Sequence, residues 1–191
     1  MISTFASVID SNVFYGARLR SLFMYLAQTG IFRARWTDDI HREWTSNLLK
    51  NRPDLNAGDI AKIPEIMNAA VLDCLITGYE PLIPSLTLPD PDDRHVLAAA
   101  IKGHASAIIT FNLADFPQVT LDQYGVHARH PDEFILDLFG LDEDGCMSAV
   151  QADIEHYRDP PLTLETYLTS LETAGVQQAA SFLKSRKIIF D

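Results

Sequence analysis

Acidic side chains in this 191-residue chain stand where buried strands and buried helix faces are predicted to begin or end. Asp10 ends the run TFASVID, Asp115 follows AIIT, Glu43 lies beside a predicted apolar helix seam, and Asp93 opens a further helix. Taken singly, such an acid is commonly a helix cap or a turn residue. An ionisable group at the mouth of a buried strand is nevertheless costly unless it has a partner or a task there. Because function in open parallel sheets is expected at the carboxyl ends of the strands, the four acids form a candidate site.

The stretch LPDPDDRHVLAAAIKG, residues 88–103, places three aspartates at the start of a predicted buried helix. Asp90 before Pro91 is typical of an N-cap, and Asp92 fits a solvent-exposed acid of the first turn. Helix-start chemistry alone could account for all three aspartates. Asp93, however, shares a helical stripe with apolar residues, and we expect it to face the sheet. The apolar members of the stripe are Val96, Leu97, Ala100 and Ile101.

Apolar runs that fit strands alternate with runs of helical periodicity over the first part of the chain. The predicted strands are TFASVID, IFRARW, a weak YEPLI, SAIIT and YGVHARH. The predicted helices cover 17–30, 38–50 with Thr37 as N-cap, about 59–76, and the stretch that begins at Asp90. This alternation predicts an α/β fold, a three-layer α/β/α arrangement with a central, mainly parallel sheet.

The pattern changes after the run HPDEFILDLFG, where LDEDG forms an acidic turn. The remaining residues predict helices at roughly 145–157 and 163–184, the second with Thr163 as its N-cap. We therefore expect an α/β domain at 1–138 and a helical C-terminal extension at 139–191.

Composition limits the alternatives. The formal net charge is −11. Most of the arginines lie in the first third of the chain, and the excess of acidic residues lies after it. Those arginines could line a path for a phosphate backbone or could simply be solvated helix faces. The two cysteines have no metal-binding or disulfide spacing. We find no export signal and no apolar run long enough to cross a membrane, so we expect a cytoplasmic protein.

Four motifs in order, VIDSNVF, DIHREW, DPDDRHVLAAAIKG and AIITFNLADFP, resemble a PIN domain, the nuclease fold of VapC-type toxins from bacterial toxin–antitoxin systems. The resemblance covers about residues 5–135, which makes 1–138 a PIN-like nuclease domain. The tail after 139 resembles the extension of a longer VapC subgroup. Matched position by position, the acidic cluster falls on Asp10, Glu43, Asp93 and Asp115. The supporting polar residues are Asn12, Asp90, Thr110 and Asn112. The third acidic place is open among Asp90, Asp92 and Asp93, and the helix register favours Asp93.

The resemblance implies a metal-dependent endoribonuclease, the toxin of a type II toxin–antitoxin system. Converging carboxylates repel one another and are stable together mainly around a hard cation, which favours Mg²⁺ or Mn²⁺. Asp10 and Asp93 would hold the principal ion, with Asp115 a third metal contact and Glu43 completing the cluster. Cleavage would leave a 5′-phosphate and a 3′-hydroxyl. The implied partners are RNA, a small DNA-binding antitoxin and a second copy of the chain in a homodimer, with no membrane.

Parts of the sequence bear on three other classes of protein. A haloacid-dehalogenase-type phosphatase needs a second acid two residues after the first, where this chain has Asn12. A dinucleotide-binding domain needs a glycine-rich first turn, which DSNVFYG is not. The serious alternative is a PIN-like module that binds RNA or protein without cutting it, and the presence of all four acids counts against it. The six histidines, including His95, are not at metal-ligand spacings and are interpreted as structural or surface residues.

Overall fold

Four parallel strands form the centre of the molecule. The computed structural model describes residues 5–186. The sheet order is β2-β1-β3-β4, so that β1 and β3 lie inside and the other two strands form the edges. The strands are β1 (Ala6–Ile9), β2 (Arg33–Arg35), β3 (Ala107–Ile109) and β4 (His127–Arg129). The α/β fold with a parallel sheet is thereby confirmed.

A helix follows each strand, and helices make up most of the described chain. The α-helices are α1 (Ser11–Tyr15), α2 (Ala17–Gln28), α3 (Asp38–Asn51), α4 (Ala57–Ala70), α5 (Arg94–Lys102), α6 (Gln118–Leu121), α7 (Pro131–Leu141), α8 (Glu143–His156), α9 (Leu164–Thr173) and α10 (Gln177–Ser185). Short 3₁₀ helices cover Glu80–Ser85, Pro91–Asp93, Leu113–Asp115 and Asp122–Tyr124. Thr37 caps α3 as predicted, because its hydroxyl accepts a hydrogen bond from the Ile40 N–H at 3.1 Å.

The register of the two inner strands brings distant parts of the sequence together. Ile9 pairs with Ile109 across β1 and β3, and both are fully buried. The next residue of each strand, Asp10 and Thr110, therefore leaves the sheet at the same edge. Helix α5 packs on these strands, and its alanines at 98–100 are fully buried, which allows the close approach that their small size predicts.

The helix predicted at about 59–76 is wrong at its end. Helix α4 stops at Ala70, and the chain then turns through Asp73, which has a φ of 56°. Beyond the turn the backbone runs beside the end of β2, where the Trp36 N–H donates to the Cys74 carbonyl and the Ile76 N–H to the Trp36 carbonyl, at 2.9 and 2.8 Å. In this segment Val71, Cys74 and Ile76 are buried, whereas Leu72 is exposed.

The weak strand prediction at YEPLI is also wrong, since Glu80–Ser85 forms a 3₁₀ helix. Pro81 and Pro84 fix φ near the helical value and remove two donors that a strand would need. The helix predicted at 163–184 is divided into α9 and α10 by Gly175, whose φ of 90° ends a right-handed helix.

The C-terminal helices are packed against the α/β part through both apolar and polar contacts. Helix α8 lies along α2, and α10 packs on α7 and α9. The carboxylate of Asp153, which is fully buried, accepts hydrogen bonds from Ser21 of α2 and, at 2.9 Å, from Tyr167 of α9. The division expected after residue 138 falls inside α7, and it remains a prediction.

Replacement of Asp153 should reveal the cost of its burial through pH. Burial raises the pKa of Asp153 above 3.8, against the hydrogen bonds from Ser21 and Tyr167 and the charge of Arg18. As the pH rises above 3.8, the unfolded chain loses this proton before the folded chain does, so the contribution of Asp153 to stability falls. The free energy of unfolding of Asp153→Asn minus that of the wild type should therefore become more positive as the pH rises from 3.8. Denaturant titrations at stepped pH measure this difference, and a constant or falling difference would contradict it.

Among the helices formed by residues 5–186, none combines the length and the apolar character needed to cross a bilayer. Cys74 and Cys146 are buried and unpaired, in agreement with the absence of disulfide spacing.

Candidate active site

Asp10 is the buried acid at the centre of the site, with only 2% of its surface exposed. It caps α1, because its Oδ1 accepts a hydrogen bond from the Ser11 N–H at 2.6 Å. Burial raises the pKa of Asp10, against the hydrogen bonds from Thr110 and Ser11, and the charge of Glu43 raises it further. Oδ1 accepts one of the two bonds it can accept, so it retains a lone pair for a cation.

Asn12 and Thr110 fix the orientation of the Asp10 carboxylate. Oδ2 of Asp10 accepts from Asn12 Nδ2 at 2.6 Å and from Thr110 Oγ1 at 2.7 Å. Asn12 Nδ2 also donates to Thr110 Oγ1 at 2.9 Å, and its Oδ1 accepts from the Phe111 N–H at 3.1 Å. The loops after β1 and β3 are therefore tied together by side chains, and this network leaves one acceptor position on Asp10 Oδ1 free.

The three clustered aspartates take different places. Asp90 caps the 3₁₀ helix, since it accepts from the Asp92 N–H at 2.8 Å, and Asp92 is exposed. Asp93 is half-buried and lines the same cleft as Asp10. Burial and then the charges of neighbouring carboxylates, first that of Asp10, raise the pKa of Asp93 to about 7. The other contributing carboxylates are Asp90, Asp115 and Glu43.

Glu43 reaches the cleft from α3 and stands next to His95 of α5. His95 Nε2 lies 3.4 Å from Glu43 Oε2, longer than a good hydrogen bond. Burial opposes protonation of His95, but contact with Glu43 and the charges of Asp39 and Asp10 outweigh it and raise the pKa of His95. Glu43 Oε2 and His95 Nδ1 are both buried, and neither has a hydrogen-bond partner among residues 5–186. The sequence places His95 two residues after Asp93, but no pattern in it indicates a contact with Glu43 of α3.

Asp115 and Asn112 come from the loop after β3. Asn112 lines the cleft, and its N–H donates to Thr110 Oγ1 at 3.0 Å. Asp115 ends the adjoining 3₁₀ helix and is half-buried; it is near enough to raise the pKa of Asp93, although it does not line the cleft itself. The structure thus brings Asp10, Glu43 and Asp93 together directly and leaves Asp115 at the border.

The cleft itself has a volume of about 340 Å³, within the range of about 300–1,000 Å³ typical of small-ligand pockets. At one end stand the carboxylates of Asp10, Glu43 and Asp93. Farther from Glu43 along α3 the cleft is lined by Asn47 and Asn51, together with Tyr15, and the sequence did not single these three out; Trp44, next to Glu43, also lines it. Of the residues at 5–186, no lysine or arginine is among those that line it.

The arginines of the N-terminal third are engaged elsewhere in the protein, so a phosphate path along them does not coincide with the cleft. Their partners are Ser170 for Arg18, the Phe14 carbonyl for Arg20, Asp73 for Arg33 and Arg35, Asp39 for Arg42 and Asp54 for Arg52.

The donor set at the acidic end fits a hard divalent cation. All its candidate ligands are oxygens, the neighbouring carboxylates raise the pKa of Asp93, and no lysine or arginine among residues 5–186 lines the cleft. Within residues 5–186, no three His, Cys, Asp or Glu side chains are already close enough to enclose an ion. Mg²⁺ needs only one or two direct carboxylates and keeps several waters, so a more open arrangement suits it.

Comparisons with known proteins agree with the order of these elements. A family model described as "PIN domain" matches residues 6–114, and one described as "VapC50 C-terminal domain" matches residues 131–185. A protein of Mycobacterium tuberculosis named "Putative ribonuclease VapC50" is 38% identical over 111 residues, which are 58% of this chain and 63% of that protein. The aligned part is thus less than two thirds of the relative's length. No solved structure matched the chain. Because the PIN model covers more than half of the sequence, the chain belongs to the PIN domain family, and its C-terminal helices are of the kind found in VapC50.

Proposed function

We propose that the protein is a metal-dependent endoribonuclease, the toxin component of a type II toxin–antitoxin system. The observation that carries the proposal is the meeting of Asp10, Glu43 and Asp93 in one cleft, where burial and the neighbouring carboxylates raise the pKa of Asp93 to about 7. A structural protein gains nothing from such repulsion, whereas a cation site depends on it. The name of the M. tuberculosis relative, which contains the word ribonuclease, supports RNA as the substrate.

Asp10 and Asp93 are the proposed principal ligands of Mg²⁺ or Mn²⁺, with Glu43 and Asp115 acting directly or through water. Such a cation would acidify a water molecule and offset the negative charge that develops on the phosphate. Asn12 and Thr110 hold the Asp10 carboxylate in one orientation, which preserves its free oxygen position. Asn112 offers an amide beside the same place, where it can orient the scissile phosphate.

The partners follow from the proposed activity. A ribonuclease of this kind has to be restrained in the cytoplasm of its own cell, and we propose a small DNA-binding antitoxin for that role. A homodimer is a second proposed assembly. Candidate contact surface includes Ile66, 65% exposed, and Leu72, 93% exposed, at the end of α4. We also propose that residues 1–138 form the nuclease domain and residues 139–191 the extension.

Removal of the cation tests the activity. Purified protein should cleave RNA in Mg²⁺ or Mn²⁺, lose that activity in excess chelator, and regain it when the ion is restored. Because the cation is proposed to acidify the water molecule and to offset charge on the phosphate, the expected loss on its removal is at least roughly 100-fold in rate, or about 3 kcal/mol. Gel analysis of labelled RNA measures it. Cleavage that persists in chelator would contradict metal dependence, and no cleavage of any RNA under any condition would favour a binding module.

A further inference from the structure

The end of the cleft away from the carboxylates is built differently from the acidic end. It is lined by an aromatic ring, Tyr15, and by two side-chain amides, Asn47 and Asn51. Tyr15 is the last residue of α1 and is 36% exposed, and its hydroxyl accepts a hydrogen bond from Asn51 Nδ2 at 3.1 Å. The ring is therefore held in place while part of its surface remains accessible.

Helix α3 carries this arrangement in one line from the acidic end. Glu43, Asn47 and Asn51 are spaced four residues apart and lie along one face of the helix. The two amides stand about 6 and 12 Å from Glu43 along the helix axis. Helix α1 packs on α3, which sets the Tyr15 ring beside this row. A chain bound at the acidic end can therefore continue past the amides and the ring.

The chemistry of this end suits a nucleobase better than a phosphate. Lysine and arginine are the side chains that neutralise a phosphate backbone, and none of the described residues of either type lines the cleft. An amide carries both donors and an acceptor, the pattern that base edges present, and an aromatic ring stacks on the face of any unpaired base. Single-stranded RNA is recognised mainly through such splayed bases.

We propose that Tyr15, Asn47 and Asn51 form a binding subsite for an unpaired nucleobase of the RNA, adjacent to the nucleotide whose phosphate is cleaved. Tyr15 supplies the stacking surface, and the amides of Asn47 and Asn51 contact the base edge and bias which base is accepted. The subsite rests on the proposed function for its substrate class, but it is defined by binding and can be measured without cleavage.

The test uses full-length protein carrying Asp10→Asn, which removes the proposed chemistry and lowers the negative charge of the cleft. Binding of fluorescent single-stranded oligo(A), oligo(C), oligo(G) and oligo(U) is measured by anisotropy in Mg²⁺. Adding Tyr15→Ala should weaken affinity at least roughly 5-fold through loss of stacking, whereas Tyr15→Phe should retain most of it. Asn47→Ala and Asn51→Ala should change the relative affinities for the four oligonucleotides. Tyr124→Ala, at a tyrosine that is 40% exposed and outside the cleft, is the matched control and should change neither.

A second measurement guards against misfolding of the alanine variant. Photo-crosslinking of a 5-iodouridine oligonucleotide to the unsubstituted Tyr15 protein, followed by peptide mapping, should mark the segment that contains Tyr15. No saturable binding, equal affinities for the Tyr15→Ala and Tyr124→Ala proteins, or crosslinks confined to other segments would overturn the subsite. If binding depends on Tyr15 but the wild-type protein cleaves no RNA, the subsite stands and the proposed ribonuclease is refuted. The two failures are therefore distinguishable.

Discussion

Asp93→Asn is expected to lower the rate of RNA cleavage at least roughly 100-fold, equivalent to about 3 kcal/mol of transition-state stabilisation. The substitution keeps the shape of the side chain and removes the charge proposed to hold the cation. Asp10→Asn should have an effect of the same size, because Asp10 lines the same cleft and is the second proposed ligand of the cation. Gel-based cleavage rates in saturating Mg²⁺ measure both.

The neighbouring Asp92 provides the matched control. Asp92→Asn changes the same functional group one residue away, on an exposed part of the same 3₁₀ helix, and should leave the rate within about twofold of the wild type. In metal-free buffer at neutral pH, Asp93→Asn should also raise the thermal midpoint, because the pKa of Asp93 is raised to about 7 and its ionised form is disfavoured in the folded state. Equal rates for the Asp92 and Asp93 variants would contradict the assignment of Asp93.

Gly175→Val is expected to weaken both the fold and the activity, although it lies in the C-terminal extension. Gly175 has a φ of 90°, and a Cβ there would stand 3.1 Å from Cε1 of Phe111. The backbone N–H of Phe111 donates to Asn12 Oδ1, and Asn12 orients Asp10. A displaced Phe111 ring would therefore disturb Asp10 through two hydrogen bonds, from Phe111 to Asn12 and from Asn12 to Asp10.

The expected cost is about 1–3 kcal/mol of stability from the unfavourable φ, and a roughly 10- to 100-fold loss of cleavage rate from the disturbed orientation of Asp10. Denaturant unfolding and cleavage assays well below the thermal midpoint separate the two effects. Gly140→Ala, in α7, is the control and should be neutral or slightly stabilising, because no other part of residues 5–186 lies within 4 Å of the added Cβ. Full activity of folded Gly175→Val protein would show that the extension does not support the catalytic loop.

The fold was predictable where strong local patterns agree with tertiary packing. The runs around β1 and β3 are short and mainly apolar, and Thr37 has the side chain that an N-cap needs. Predictions failed where a distant partner decides the conformation. The segment after Ala70 leaves the helix because the edge of β2 offers it backbone partners, and no periodicity within the segment contains that information.

The candidate site shows the same division. The predicted helix register turned Asp93 and not Asp92 towards the sheet, and Asp93 lines the cleft while Asp92 is exposed, although Asp93 lies in a 3₁₀ helix ahead of α5. The contact between His95 and Glu43 joins two helices, and Tyr15 belongs to a five-residue helix too short to show periodicity. These residues could be located only once α1, α3 and α5 were placed around the ends of β1 and β3.

Anomalous diffraction from a crystal of the full-length protein soaked in Mn²⁺ tests the central claim most directly. The expected result is a manganese peak in contact with the carboxylate oxygens of Asp10 and Asp93, with Glu43 or Asp115 reached directly or through water. A crystal of active protein that shows no manganese in the cleft, or shows it bound only to other side chains, would contradict the proposed metal site.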